Sequence, residues 1–284
     1  MKKILIVLIL PFLAVVSCKK ENPPAMPPAE SLVMDFKAFG GTSPQQKSEM
    51  LKYAVDSTVQ DSSNFVYAKT NVGFWNLIIV VTLAVPVAAW YAAIGNNDWK
   101  QVDDHTWQWK YTYKVFVDTY NARLVANNEA ADGIKWEMYI SKTTGLNTFA
   151  EVKWYEGLVA KDGMSGQWIL NENPQNPTPF LQVNWQKTGD KVGYIKYTYI
   201  RQKDDQGNDI PYYNNYIEYG KTTNAPFDCY YTMVLYDTWW TKQNNTINIE
   251  WNSTDLSGRV KSPLKFSDSE WHCWNSQFYN ITCQ

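Results

Sequence analysis

The stretch LIIVVTLAVPVAAWYAAI, residues 77–94, carries no charged side chain, although the chain of 284 residues is otherwise moderately polar. Eighteen mostly apolar residues are just enough for a membrane-spanning helix. However, the stretch contains Pro86 and five alanines, and no Lys or Arg cluster flanks it as positive-inside orientation requires. We therefore predict a helix buried inside a domain. Buried strands, favoured by the β-branched run at 78–82, and a membrane span are the alternatives.

A β-sheet is the expected partner of this helix. In TWQWKYTYKVFV, residues 106–117, every odd position is Trp, Tyr or Val, and the even positions are polar apart from Phe116. Such alternation is typical of a strand with one buried face. Together with two later tryptophans, this face supplies the rings that we expect to form an apolar core or to line a cavity: Trp107, Trp109, Tyr111, Tyr113, Trp136 and Trp185.

Further alternating runs are separated by turn signals such as Asp132-Gly133 and Asp162-Gly163, which indicates hairpins and an antiparallel sheet. The runs lie at 134–138, 181–185, 195–199, 229–235 and 247–251. About nine or ten strands fit between residues 105 and 266, and a sheet of that size has to curl, close or split. The predicted fold class is α+β, mainly β. We expect a large curved antiparallel sheet, or an open or closed barrel, wrapped around the N-terminal hydrophobic helix.

A second helix is expected at residues 44–60, where Ser43 and Pro44 provide a start signal and apolar residues recur at helical spacing. Residues 33–284 are therefore predicted to form a single domain. Its helical part covers about 44–95, and its antiparallel part covers about 105–284.

The N-terminus has the features of an export signal. Lys2 and Lys3 precede a short apolar region at 4–16, which is the pattern of a secretory signal peptide. The sequence VVSC at residues 15–18 resembles the lipobox of bacterial lipoproteins. The resemblance implies that residues 1–17 are removed as a signal peptide and that Cys18 becomes a lipidated N-terminus.

The membrane partner implied by this resemblance is a bilayer reached through the lipid on Cys18. In that family an Asp after the cysteine favours the inner membrane, whereas this chain has Lys19. The expected location is therefore the outer membrane of a Gram-negative cell envelope, facing either the periplasm or the exterior. Residues 18–32 are rich in proline and are expected to be a lipidated, extended tether.

Three further cysteines follow the lipobox: Cys229, Cys273 and Cys283. An exported compartment permits disulfides. We expect a bridge between Cys273 and Cys283, and pairing of Cys229 with one of them is the rival arrangement.

Composition and motifs argue against several classes of function. The chain has 26 Lys and Arg against 28 Asp and Glu, so no basic excess favours nucleic acid as a partner. His105 and His272 are the only histidines, which excludes a three-histidine zinc site. There is no nucleophile elbow, P-loop or dinucleotide fingerprint. We therefore predict no catalytic residues, no metal and no cofactor, and a protein that is not an enzyme.

The plan of a curved sheet around an apolar helix resembles the open-barrel lipoprotein carriers and acceptors of Gram-negative envelopes. The whole sequence also looks like uncharacterised lipoproteins of the Bacteroidota type. These resemblances imply a lipid-anchored envelope protein that binds or carries a lipid or another hydrophobic ligand. The alternatives are a carbohydrate-binding module at the surface and a scaffold subunit of an envelope complex, with the protein partner unknown.

Overall fold

The computed structural model describes residues 21–40, 61–238 and 241–283. The predicted signal peptide 1–17, Cys18 and the helix expected at 44–60 lie outside these residues. In the described part, the predicted fold class is confirmed. One large antiparallel sheet follows one long helix, and the sheet is not closed.

The described residues form fourteen strands, and their order in the sheet is their order in the sequence. The strands are β1 Trp99–Asp103, β2 Thr106–Val115, β3 Asp118–Asn127, β4 Ile134–Lys142, β5 Phe149–Val159, β6 Ser165–Asn171, β7 Pro179–Thr188, β8 Lys191–Tyr199, β9 Tyr216–Lys221, β10 Cys229–Tyr236, β11 Asn244–Trp251, β12 Gly258–Lys261, β13 His272–Trp274 and β14 Asn280–Ile281. Every alternating run that the sequence revealed falls in one of them. The count exceeds the expected nine or ten, partly because β12 to β14 have only two to four residues, too few for alternation to be visible.

The stretch at 77–94 is helical, as predicted. It forms the C-terminal part of α1, Ser63–Ile94, a helix of 32 residues that continues through Pro86. The carboxylate of Asp61 accepts a hydrogen bond of 2.8 Å from the backbone N–H of Ser63 and so satisfies one free donor at the helix start. A second helix, α2, is the single turn Pro263–Phe266.

The N-terminal part of α1 is held by the last strands of the sheet. The side-chain amide of Asn64 donates to the carbonyl oxygen of Cys273 in β13 at 3.0 Å. One turn further, the hydroxyl of Tyr67 lies 2.9 Å from the hydroxyl of Ser262, which follows β12.

The C-terminal part of α1 is held by the first strands. The hydroxyl of Tyr111 in β2 donates to the carbonyl oxygen of Ala89 at 2.7 Å. Trp90 packs edge-on against Trp136 in β4 and Trp168 in β6, with ring centroids 6.0 and 5.0 Å apart. Helix α1 therefore connects the two ends of the open sheet.

Residues 21–40 lie against the sheet and help to fill its interior. Ring side chains of β2, β6, β8 and β10 donate in turn to this segment: Trp107 to Glu21 O, Trp168 to Ser31 Oγ, Tyr197 to Leu32 O, and Tyr231 to Asp35 O. A proline-rich backbone makes few internal hydrogen bonds, so its carbonyls are available to such donors. The described residues of the predicted tether, 21–32, thus contact the sheet through Glu21, Ser31 and Leu32.

Candidate functional site

The six rings expected to form a core or line a cavity are placed in the interior. Four tryptophans are at most 2% exposed: Trp107, Trp109, Trp136 and Trp185. Tyr113 is buried as well, and Tyr111 is partly buried against the same cluster. Tyr111 and Tyr113 have pKa values raised far above normal, chiefly because burial disfavours the phenolate. Trp136 packs on Trp90 of helix α1, Trp109 packs on Trp136, and Tyr111 contacts both Tyr113 and the carbonyl oxygen of Ala89.

Helix α1 presents a buried stripe to this interior. Val72, Trp75, Ile79, Leu83 and Trp90 are all buried and recur at three- or four-residue spacing, apart from the seven-residue step to Trp90. At about 100° per residue this spacing keeps them on one side of the helix. The burial that we expected for this helix is therefore found on one of its sides only.

The opposite side of α1 is an exposed stripe that is equally apolar. It consists of Phe74, Leu77, Ile78 and Val81, of which 54%, 50%, 37% and 70% are exposed. These positions follow the i, i+3, i+4, i+7 pattern of a helix face that packs on something. We call this set the outer stripe. A contiguous apolar surface of this kind marks an interaction site in a soluble domain.

The part of the helix that carries the outer stripe has no charged side chain. Residues 70–97, between Lys69 and Asp98, contain no Asp, Glu, Lys, Arg or His. By length and composition α1 could cross a membrane, and 33% of its most apolar window is buried. The sequence predicted the apolar character of 77–94, but not that its exposed positions form a stripe.

Two hairpin tips carry further exposed apolar side chains. Phe116 and Val117, between β2 and β3, are 92% and 93% exposed, and Leu146, between β4 and β5, is 83% exposed. In an antiparallel meander these two turns lie at the same end of the sheet. Phe116 also has a φ of 54°, a left-handed conformation that hairpins normally give to Gly or Asn. The local backbone geometry therefore does not explain why an apolar ring occupies this position.

A separate cavity of about 400 Å³ opens beside β9 and β10. It is lined by Asp35, Lys37, Ala38, Tyr219, Lys221, Cys229, Trp251, Ser253 and Leu256. Lys221 and Cys229 are directly opposite each other in the register of β9 and β10. The Lys221 ammonium donates to the Cys229 sulfur at 2.9 Å, and the Tyr219 hydroxyl lies 3.8 Å from the same sulfur. We call these three residues the thiol cluster.

The pKa values of Lys221, Tyr219 and Asp228, in and beside the thiol cluster, are shifted by their surroundings. The hydrogen bond to Cys229 is the main reason that the pKa of Lys221 is raised above its ordinary value. Burial, followed by the neighbouring thiol, raises the pKa of Tyr219 to about 12. Burial alone would raise the pKa of Asp228, but hydrogen bonds from Ser253 and Lys221 outweigh it and hold that pKa at about 2.

The cysteine pairing agrees with the arrangement that the sequence favoured. Cys273 and Cys283 lie at disulfide distance, with sulfurs 2.07 Å apart, and Cys229 is free and buried. Across residues 21–40, 61–238 and 241–283, no group of three or more His, Cys, Asp or Glu side chains is placed to hold a metal ion.

Comparison with protein-family models, curated proteins and solved structures returns no match. The class of protein is therefore defined by its own architecture, an open antiparallel sheet whose two ends are connected by an apolar helix.

Proposed function

We propose that this chain is a non-enzymatic, lipid-anchored lipoprotein of a Gram-negative envelope, and that helix α1 binds the surface of a lipid bilayer through its outer stripe. The hydrophobic ligand is then the acyl region of the bilayer, which the protein contacts outside the sheet. The observation that carries the proposal is the row of four exposed apolar side chains opposite the buried stripe.

The lack of charged side chains in α1 after Lys69 favours lipid over a protein partner. Protein interfaces have a polar rim in which charged groups are common. From residue 70 to its end at Ile94, the helix instead has no Asp, Glu, Lys, Arg or His. Such a surface can enter the boundary between headgroups and acyl chains by about 5–10 Å without desolvating a charge.

The predicted lipid anchor would hold the domain close to the bilayer. Glu21 is fixed to the sheet, because its N–H donates to the side chain of Gln101 at 3.0 Å and its carbonyl accepts from Trp107 at 3.1 Å. Cys18 is only three residues away, a reach of about 10 Å. A lipidated Cys18 would therefore keep the edge formed by β1 and β2 near the membrane.

The exposed tip at Phe116 and Val117 suggests how the domain would lie. It is about 30 Å from Trp107 along β2, at about 3.3 Å per residue. For the anchor and this tip to reach the bilayer together, β2 has to run along the membrane surface. In that orientation Phe116 would act as a second apolar contact.

The experiment uses the full mature chain with Cys18→Ser, which removes acylation, and vesicles of phosphatidylethanolamine and phosphatidylglycerol. We expect this chain to sediment with the vesicles. Replacement of Leu77 and Val81 together by Gln should weaken the binding by tenfold or more, because about 1.5–3 kcal/mol is lost for each apolar side chain that is no longer fully buried. The matched control is Ile281→Gln, which changes an exposed apolar residue in β14.

Two results would contradict the proposal. The first is a chain that stays in the supernatant and is monomeric. The second is a stable dimer that the Leu77 and Val81 changes dissociate, which would make the outer stripe an interface between copies. Equal loss of vesicle binding in Ile281→Gln would show that the contact is not specific to α1.

A further inference from the structure

The thiol cluster is independent of the outer stripe, and its geometry points to covalent chemistry. Cys229 and Lys221 are cross-strand partners, so the backbone of two hydrogen-bonded strands holds their side chains together. The Nζ–Sγ distance of 2.9 Å leaves no room for another group between them. Lys221 is therefore placed to react with anything that forms on the sulfur.

Access to the sulfur comes through the cavity. Cys229 is only 2% exposed, yet it lines a space of about 400 Å³ that also reaches Lys37 and Ser253. Small molecules such as a peroxide can enter a space of this size. Among the described cysteines no partner is left for a disulfide with Cys229, since Cys273 and Cys283 are paired with each other.

We propose that Cys229 and Lys221 form an oxidation site, at which a peroxide converts the thiol to a sulfenic acid and the lysine amine then captures it as a sulfur–nitrogen cross-link. In the first step the thiolate attacks one peroxide oxygen, the O–O bond breaks, sulfur is oxidised, and hydroxide leaves. In the second step the uncharged amine nitrogen attacks sulfur, the S–O bond breaks, and the hydroxide that leaves takes a proton from the nitrogen to become water. The product joins β9 to β10 covalently.

The surroundings of Lys221 favour the second step. An ammonium cannot attack sulfur, so Lys221 must first lose a proton. The Lys221 side chain is half-exposed, so this proton can pass to solvent.

The test treats the full mature chain with hydrogen peroxide and maps the product by trypsin digestion and mass spectrometry. Trypsin normally cleaves after Lys221, which separates residues 204–221 from residues 222–242. The cross-link should block this cleavage and yield one product, 204–242, that has lost two hydrogens relative to the unmodified sequence. Reduction by dithiothreitol should restore both peptides. Oxygen added at Met233 is distinguished by its fragment ions.

Matched variants separate the steps. Lys221→Arg keeps a cation beside the sulfur but removes the amine, so dimedone should trap the sulfenic acid at Cys229 and no cross-link should form. Lys37→Arg changes another lysine of the same cavity and should leave the cross-link intact. Cys229→Ser should abolish both products.

Other outcomes would overturn the inference. A Cys229 that resists peroxide in the folded chain but reacts in urea would show that the cavity gives no access. A sulfenic acid that dimedone traps in the unaltered chain, with cleavage after Lys221 unchanged, would exclude capture by the lysine.

Discussion

The two sides of helix α1 are built from the same kinds of residue and have opposite surroundings. Ile79 is 6% exposed and packs in the interior, whereas its neighbour Ile78 is 37% exposed on the outer stripe. Composition cannot distinguish them, because an apolar helix shows no difference between its sides. The difference comes entirely from the partners, which are the rings of the sheet on one side and nothing in the described chain on the other. Substitutions on the buried side of α1 should therefore change stability, whereas substitutions on the outer stripe should change binding.

The largest effect is expected where the buried stripe meets the sheet. Trp90 is fully buried and touches Trp136 and Trp168. Trp90→Ala should lower the free energy of unfolding by about 3–5 kcal/mol, since it leaves a large cavity that the sheet cannot fill. Urea unfolding followed by circular dichroism measures this. A loss below about 1 kcal/mol would show that the interior is not packed around α1.

A pair of neighbouring substitutions tests the comparison directly. Ile79→Asn should destabilise the chain by about 3 kcal/mol, because it places an amide without a partner in the interior. Ile78→Asn should change the stability by less than about 0.5 kcal/mol, as expected for a surface position. Its effect should appear in vesicle binding instead. Similar unfolding midpoints for the two variants would contradict the difference between the two sides of α1.

The next effect concerns the polar contacts of the interior. The Tyr197 hydroxyl accepts from the N–H of Met34 and donates to the carbonyl of Leu32, both at 2.9 Å. Tyr197→Phe should cost about 1–3 kcal/mol, because two buried backbone groups lose their partner. Residues 21–40 should then become more sensitive to proteolysis, which limited digestion can detect. Unchanged digestion would mean that apolar contacts alone hold this segment.

The smallest effect is expected at the surface, where Asp228 is largely solvated. Its pKa is about 2 in the folded chain, below the ordinary value of about 3.9. Its contribution to stability is therefore present above pH 4 and lost as the pH falls from about 4 to about 2. Solvent screening limits this contribution to less than about 1 kcal/mol. In Asp228→Asn the free energy of unfolding should accordingly fall less steeply between pH 5 and pH 2 than in the unaltered chain. An unchanged slope would contradict this prediction.

Much of the sheet could be predicted from its sequence, because its longer strands carry their burial pattern in every second residue. In β2 the predicted face contains Trp107, Trp109 and Tyr113, and all three are buried. The helix at 77–94 was predictable from its apolar length. The strands β12 to β14 were not, since two to four residues are too few for a period to emerge.

The remaining features depend on contacts between distant residues. Nothing in the proline-rich sequence of 21–32 signals burial, because its partners are ring donors that lie 86 to 165 positions further on. The outer stripe could not be predicted from the sequence for a related reason, since the shape of the sheet determines which side of α1 the sheet covers. The contact between Lys221 and Cys229 depends on the register across β9 and β10, which the sequence of the connecting loop does not reveal.

The burial of residues 31–36 has a consequence for how the chain can fold. Their hydrogen-bond partners Trp168, Tyr197 and Tyr231 come 137 to 196 positions later. A chain synthesised from its N-terminus has therefore released most of its strands before Leu32, Met34 and Phe36 can find their places. Contacts of such high sequence separation form late and slowly. Residues 31–36 are thus made early and buried late, and their apolar side chains stay exposed to solvent until most of the sheet is complete.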